Sequence, residues 1–153
     1  MELVILMGLQ ASGKSTFYRQ YFRATHELVS KDLFRNNRNR SRRQTQLIEE
    51  ALQTGNSVVV DNTNPTVEDR AALIELGNKY SAHMIGYYFQ SQVPHCLERN
   101  QQRLGKARVP DIAIYVTIKK LVPPSYSEGF QQLFYVQMAR ESKFVVHPWN
   151  EYQ

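Results

Sequence analysis

The chain has 153 residues, of which 42% are hydrophobic and 22% are charged, and its formal net charge is +5. This length fits one domain with a real core, the composition excludes a disordered or low-complexity class, and the single cysteine excludes an internal disulfide. The start lacks a basic leader, and no apolar run approaches the ~20 residues of a membrane span. We therefore expect a soluble, intracellular protein, cytoplasmic and without a membrane partner.

Strand and helix patterns alternate along the chain. Short apolar runs predict five strands, at residues 2–7, 26–30, 57–61, 83–90 and 133–138. Between them, apolar residues at helical spacing predict helices at residues 14–23, 42–54, about 64–80 and 94–104. This alternation predicts an α/β fold in which helices flank a doubly wound parallel sheet of about five strands.

The helix near residues 64–80 has two alternative starts. Either Asn64 caps it with Pro65 at the first helical position, or Thr66 caps it with Asp69 three residues later. We expect one face of this helix to be apolar, with three members: Val67, Ala71 and Ile74.

Residues 8–15, GLQASGKS, match the pattern G-x-x-x-x-G-K-[ST] between the first predicted strand and the first predicted helix. The glycines let successive backbone N–H groups surround a phosphate, and the helix N-terminus adds partial positive charge. Lys14, which we expect to face solvent before nucleotide binds, would reach the β- and γ-phosphates, and Ser15 would supply a hydroxyl to Mg²⁺. The sequence thus predicts a nucleoside triphosphate site with these ligands: Gly8, Gln10, Ala11, Ser12, Gly13, Lys14, Ser15 and Thr16.

Two aspartates follow predicted strands. Asp61 ends the run SVVVD, and Asp32 follows HELVSK. Because ligands bind at the carboxyl ends of strands in an open parallel sheet, both carboxylates are expected beside the phosphate loop. One can serve the metal while the other accepts a proton from an attacking hydroxyl. For Asp32 an acid at a helix N-terminus is an equally good explanation.

Residues 35–43, RNNRNRSRR, contain five arginines. Such a run favours a polyanionic partner, because each arginine near a phosphate releases counterions and can bond it bidentately. A solvated, arginine-rich helix start is the alternative.

A second basic segment follows the fourth predicted strand. Arg99 and Arg103 lie four residues apart on the last predicted helix, and LGKARVPD follows with Lys106 and Arg108. Cations flanked by glycine and proline are typical of a lid that closes over phosphates. We place this small lid at about residues 104–124, with surface arginines on an amphipathic helix as the alternative.

The segments GLQASGKSTF, VSKD, DNTNP, RNQQR and RVPDIAIYVTIKKLVPPSYSEGF follow one another as in the 5′-hydroxyl polynucleotide kinases. Over about residues 3–136 the chain resembles the kinase domain of the polynucleotide kinase/phosphatase repair enzymes. DNTNP and the P-x-x-x-x-E-G-F tail also occur in a wider group of small phosphate-loop kinases, whereas residues 141–153 lie outside the resemblance.

The resemblance implies a single P-loop kinase domain spanning residues 1–153. Its activity would be ATP- and Mg²⁺-dependent phosphoryl transfer to the 5′-hydroxyl end of DNA or RNA, so nucleic acid ends would be its partners. Two alternatives stay open. One is a kinase for a nucleoside, sugar or other small hydroxyl acceptor, and the other is a nucleotide-dependent binding module with little transfer activity.

The resemblance also implies roles for individual residues. Asp32 would be the general base, and Lys14 and Arg103 would contact the ATP phosphates and complete the catalytic set. Ser15 would bind Mg²⁺, either alone or with Asp61 acting through water. The acceptor side would comprise five residues: Asp32, Arg35, Asp61, Asn62 and Asn64.

Overall fold

A six-stranded sheet forms the centre of the protein in the computed structural model, which describes residues 1–150. The strands are β1 Glu2–Met7, β2 Glu27–Val29, β3 Val58–Asp61, β4 His83–Phe89, β5 Gln132–Met138 and β6 Phe144–Pro148. Their order across the sheet is β2-β3-β1-β4-β5-β6. The first five strands are parallel, and β6 pairs antiparallel with β5.

Five α-helices flank the sheet. They are α1 Lys14–Tyr21, α2 Arg40–Gln53, α3 Val67–Lys79, α4 Val93–Gln101 and α5 Asp111–Lys120. Short 3₁₀ turns lie at Lys31–Phe34, Gly105–Ala107, Tyr126–Glu128 and Arg140–Ser142. The predicted α/β fold with a mostly parallel sheet is confirmed. No helix within residues 1–150 is both long and apolar enough to cross a membrane.

The core lies on both faces of the sheet because β1 is a central strand whose residues 3–7 are fully buried. Side chains alternate between the faces of a strand, so Leu3 and Ile5 pack in one cluster with Ile48 of α2. Val4 packs in the other cluster with Phe17 of α1. This two-sided burial explains why the strand appears in the sequence as a continuous apolar run.

The sheet has one strand more than expected. The sixth strand, β6, lies in the tail for which the sequence offered no interpretation. Phe144 at its start contacts Phe17 edge-on, with the ring centroids 5.2 Å apart. The tail therefore completes the aromatic cluster beside α1, through contacts that join residues more than a hundred positions apart.

Several predicted helix boundaries are wrong. α2 begins at Arg40, so the basic run does enter a helix start, and α4 ends at Gln101, before Arg103. The segment predicted as a lid at residues 104–124 contains α5, which was not predicted. Sequence patterns locate helix ends poorly because caps and fraying decide them.

Thr66 caps α3, where its hydroxyl accepts from the Asp69 backbone N–H at 3.1 Å. The predicted apolar face of this helix is only partly correct, because Ile74 is buried whereas Val67 and Ala71 are exposed. The buried face instead includes Arg70, which is fully buried.

Arg70 is buried because it forms a bidentate ion pair with Glu128. Arg70 Nε lies 2.9 Å from Glu128 Oε1, and a second guanidinium nitrogen lies 3.1 Å from Oε2. The guanidinium also donates to the Asn64 and Val122 carbonyls, at 3.2 and 2.9 Å. Charges of this kind are retained in a core only when they are paired and fully hydrogen-bonded. Through its bond to the Asn64 carbonyl and its pair with Glu128, Arg70 therefore joins the DNTNP segment to the PPSYSEGF segment.

Candidate active site

A cavity of about 1220 Å³ opens where β1, β2 and β3 end. Its walls come from the phosphate loop, the 31–45 region, the segment after β3, the start of α3 and the predicted lid. Most of the predicted site residues line it: Gln10, Ala11, Gly13, Lys14, Ser15, Thr16, Asp32, Arg35, Asp61, Asn62, Asn64 and Arg103. Gly8 and Ser12, two buried residues of the phosphate loop, do not line this cavity.

The glycines of the loop are required by backbone conformation and by packing. Gly8 and Gly13 have φ angles of +148° and +103°, which residues with a side chain rarely adopt. A Cβ at Gly13 would overlap Met138 and lie 3.0 Å from Phe144. Gly13 immediately precedes α1, so the loop leads into a helix N-terminus, the arrangement that binds phosphates.

Lys14 is buried in this state, contrary to the expectation that it faces solvent. Its ammonium donates to the Gly8 carbonyl at 3.0 Å and to the Leu9 carbonyl at 2.6 Å. Burial lowers the pKa of Lys14 from 10.5 to about 8, although the nearby Asp61 carboxylate partly opposes that shift. The Lys14 ammonium therefore donates to loop carbonyls in the positions where it would otherwise donate to phosphate oxygens.

The lowered pKa of Lys14 predicts that nucleotide binding takes up a proton above about pH 8. Phosphate oxygens would stabilise the ammonium and raise the pKa, so affinity should fall as pH rises, by up to about tenfold per unit. Below pH 8 the lysine is protonated in both states, and the effect disappears. Calorimetry of ADP binding at about pH 9 in buffers of different ionisation enthalpy measures the uptake. If Lys14→Met took up as many protons as the wild type on binding ADP, Lys14 would not be the group that titrates.

Ser15 and Asp61 form the candidate magnesium site. The Ser15 hydroxyl at the start of α1 donates to Asp61 Oδ2 at 2.7 Å, and the buried Asp61 closes β3. A hydroxyl and a carboxylate are the hard oxygen ligands that Mg²⁺ prefers. No group of three or more metal-binding His, Cys, Asp or Glu side chains occurs among residues 1–150. These two residues fit an ion that takes its other ligands from nucleotide phosphates and water.

Asp32 lies in the 3₁₀ turn that follows β2. Ser30 caps this turn, its hydroxyl accepting from the Asp32 backbone N–H at 3.3 Å, and Asp32 lies in the first turn, the position that the alternative explanation gives it. The Asp32 side chain is 73% exposed, and the guanidinium of its ion-pair partner, Arg35, lies 3.6 Å away. The geometry leaves the Asp32 carboxylate accessible to a hydroxyl in the cavity.

Asn62 and Asn64 hold the cavity walls together. Asn62 Oδ1 accepts from the Lys31 backbone N–H at 2.9 Å, and its Nδ2 donates to Gln44 at 2.7 Å. Asn64 Nδ2 donates to the Leu6 carbonyl at 2.7 Å. Both side chains are bonded within the protein, and acceptor binding by them stays a prediction.

The sequence analysis missed Gln44. Its side chain is buried, lines the cavity and connects α2 to the end of β3 through Asn62. Gln44 precedes the buried Ile48 by one helical turn, so it occupies a core-facing position. A polar residue at a position where the helix is otherwise apolar indicates that its side chain has a buried hydrogen-bond partner.

Arg99 and Arg103 do not share a helix face. Arg99 Nε donates to the Ala11 carbonyl at 2.6 Å and so ties α4 to the phosphate loop. Arg103, beyond the end of α4, lines the cavity. Burial lowers the pKa of Arg103, while the Asp32 and Asp61 carboxylates act in the opposite direction. Arg103 is therefore within electrostatic reach of both carboxylates.

This fold and this cavity define a P-loop domain of the kinase type. A family model described as an AAA domain matches residues 3–124, and the chain belongs to that family.

Comparison with known proteins confirms the resemblance found in the sequence. The chain is 30% identical over 135 residues to a bifunctional polynucleotide phosphatase/kinase of Schizosaccharomyces pombe, covering 84% of this chain and 32% of that protein. The chain spans about a third or less of the length of the curated relatives it matches.

Solved structures share the fold at low sequence identity. A gluconokinase from Sinorhizobium meliloti has a TM-score of 0.66 at 18% identity, covering 91% of this chain and 83% of that one. Chaetomium thermophilum Kti12 in complex with ADP-AlF₃ has a TM-score of 0.68 at 15% identity, covering 92% and 90%. At these identities the likeness supports the fold alone.

Proposed function

We propose that the protein transfers a phosphoryl group from ATP to the 5′-hydroxyl end of DNA or RNA. The distribution of charge in the cavity carries this proposal. Eight cationic side chains line the cavity against four acidic ones, which favours polyanionic ligands. Three of the cations, Lys31, Arg35 and Arg40, lie on the 31–45 wall beside Asp32 rather than on the phosphate loop. Nucleic-acid phosphates next to the reacting hydroxyl would explain these cations.

MgATP would supply the phosphoryl group and the ADP leaving group. Lys14 would exchange the Gly8 and Leu9 carbonyls for phosphate oxygens, and Arg103 would contact the phosphoryl group from the lid side. Ser15 would bind the metal, with Asp61 bound directly or through water.

On the acceptor side, Asp32 would accept the proton of the attacking 5′-hydroxyl, since its exposed carboxylate faces the cavity. Arg35, 3.6 Å from Asp32, would bond the first acceptor phosphate and so hold the hydroxyl beside its base. The S. pombe relative, named for polynucleotide phosphatase and kinase activities, supports this substrate class.

A kinase for a small hydroxylated acceptor is the second candidate. Glu68 and Asp69 of α3 also line the cavity. Carboxylates accept hydrogen bonds from hydroxyls, so this acidic wall fits a sugar or a nucleoside.

Salt dependence separates the two candidates. For a polynucleotide acceptor, KM should rise steeply with salt, because the log–log slope is about 0.7 per phosphate contact for a single strand. Arg35→Ala should raise that KM about tenfold and flatten the slope by one contact, with ATP kinetics little altered. Charge reversal of Arg40, Arg42 and Arg43 together should weaken the binding of an oligonucleotide more than the binding of a nucleoside 3′-monophosphate.

Arg23→Ala is the matched control, because Arg23 is exposed but does not line the cavity. Steady-state kinetics of a 5′-hydroxyl oligonucleotide across a salt series provide the measurement. If the KM changes neither with salt nor in Arg35→Ala, the polynucleotide proposal is wrong and a kinase for a small acceptor is favoured.

A further inference from the structure

Asn100, near the end of α4, closes the lid loop, which we define as residues 102–108. Its side chain is fully buried and bonds both backbone polar groups of Val109. Asn100 Nδ2 donates to the Val109 carbonyl at 2.7 Å, and Oδ1 accepts from the Val109 N–H at 3.1 Å. Nδ2 also lies 3.4 Å from Asp111 Oδ1, at the start of α5. One amide thus joins the two ends of the loop.

The lid loop has few other constraints. Most of its residues are exposed, and a Cβ at Gly105 would meet nothing within 4 Å. Arg103 is the exception, being half-buried and facing the cavity, where one of its guanidinium nitrogens donates to the Ala107 carbonyl at 3.1 Å. A loop with so few contacts depends on its ends for its position, because little else opposes its conformational entropy.

The same helix end is fixed to the phosphate loop. Arg99, adjacent to Asn100, donates to the Ala11 carbonyl at 2.6 Å. Arg99 and Asn100 therefore connect the phosphate loop to Val109. Arg103 lies in the lid loop between Asn100 and Val109.

We propose that Asn100 is a positioning residue that holds the lid loop closed at its base, so that Arg103 is directed at the phosphoryl group in transit. The inference rests on the proposed function for the role of Arg103. It assigns Asn100 no contact with nucleotide or acceptor. Asn100 acts only through the loop that it closes.

The test compares Asn100→Asp and Asn100→Ser with Arg103→Ala. Asn100→Asp removes the donor and places a carboxylate against the Val109 carbonyl and Asp111, whereas Asn100→Ser leaves a side chain too short to reach Val109. Without nucleotide, hydrogen exchange at the Val109 amide should accelerate about tenfold or more in both Asn100 variants.

Binding then tests whether Asn100 acts through Arg103. ADP should bind the variants within about twofold of the wild type, whereas ADP with aluminium fluoride should bind about tenfold or more weakly, as expected when a donor to the transferred group is lost. In the Arg103→Ala background, the Asn100 changes should add little further loss, since both act on one interaction.

Gln131→Ala is the matched control. Its side-chain amide oxygen accepts from the Met84 backbone N–H at 2.6 Å, just before the start of β5, and Gln131 does not line the cavity. That variant should lose stability without changing the response to aluminium fluoride.

Three results would overturn the proposal. The first is unchanged hydrogen exchange at the Val109 amide, and the second is normal affinity of both Asn100 variants for ADP with aluminium fluoride. The third is a loss of that affinity in the double variants equal to the sum of the losses in the single variants. Failure of the proposed function is separate, because a wild type that binds ADP with aluminium fluoride but phosphorylates no oligonucleotide leaves these comparisons valid.

Discussion

Replacing Lys14 by alanine is expected to lower phosphoryl transfer by about 10²–10³-fold, the range seen when one donor to a developing charge is removed. Nucleotide affinity should fall as well, because the ammonium would contact the phosphates of both substrate and product. The measurements are turnover at saturating acceptor and calorimetric affinity for ADP.

The fold of the Lys14→Ala variant should persist, for a reason different from solvent exposure. The change leaves the Gly8 and Leu9 carbonyls without the donor shown for them, which costs about 1–3 kcal/mol per buried acceptor left unpaired. It also removes a buried cation whose desolvation is unfavourable, as the pKa of about 8 shows. These effects oppose each other, so the melting temperature should change little.

Lys106→Ala is a suitable control for Lys14→Ala, because Lys106 lines the same cavity but is exposed. It should retain most nucleotide affinity. Near-normal turnover and affinity in Lys14→Ala would remove the assignment of this loop as the nucleotide site.

Changing Asp32 to asparagine is expected to lower turnover by about 10²-fold or more, within the contribution of general-base catalysis. Asparagine keeps the size of the side chain but cannot accept the proton of the attacking hydroxyl. ATP affinity should hardly change. Because the Asp32 side chain is 73% exposed and its contact with Arg35 is 3.6 Å long, stability should also be nearly unchanged.

Glu68→Gln removes another carboxylate that lines the same cavity and controls for the loss of one negative charge. It should retain turnover on an oligonucleotide acceptor. If Asp32→Asn instead lost ATP affinity while turnover at saturation survived, Asp32 would belong to the nucleotide site. Single-turnover kinetics with preformed enzyme and ATP distinguish the two outcomes.

The arrangement of Asp32 and Asp61 was predictable only in part. Both follow strands, and their arrival at one edge of the sheet follows from parallel topology. Their different environments do not, because burial depends on neighbours from other segments. Asp61 is buried against Ser15, whereas Asp32 is open to the cavity.

The organisation of the chain as a single domain and the movement of the lid stay predictions.

Local patterns by themselves determined the conformation of the phosphate loop and the strands β1 and β3, and they reduced the start of α3 to two alternatives, of which the structure has Thr66 as the cap. Each of these depends on backbone conformation or on side-chain contacts within a few residues, so the information lies in one short stretch. The alternation of those stretches was enough to specify the α/β class.

Only the tertiary structure decided the antiparallel strand β6, the buried pair of Arg70 with Glu128, and the contact of Gln44 with Asn62. These interactions join residues 18 to 58 positions apart or, for Phe144 on Phe17, opposite ends of the chain. A polar side chain is stable in the interior only when its partner arrives there too. Which partner arrives depends on how the whole chain packs, and no local pattern contains that information.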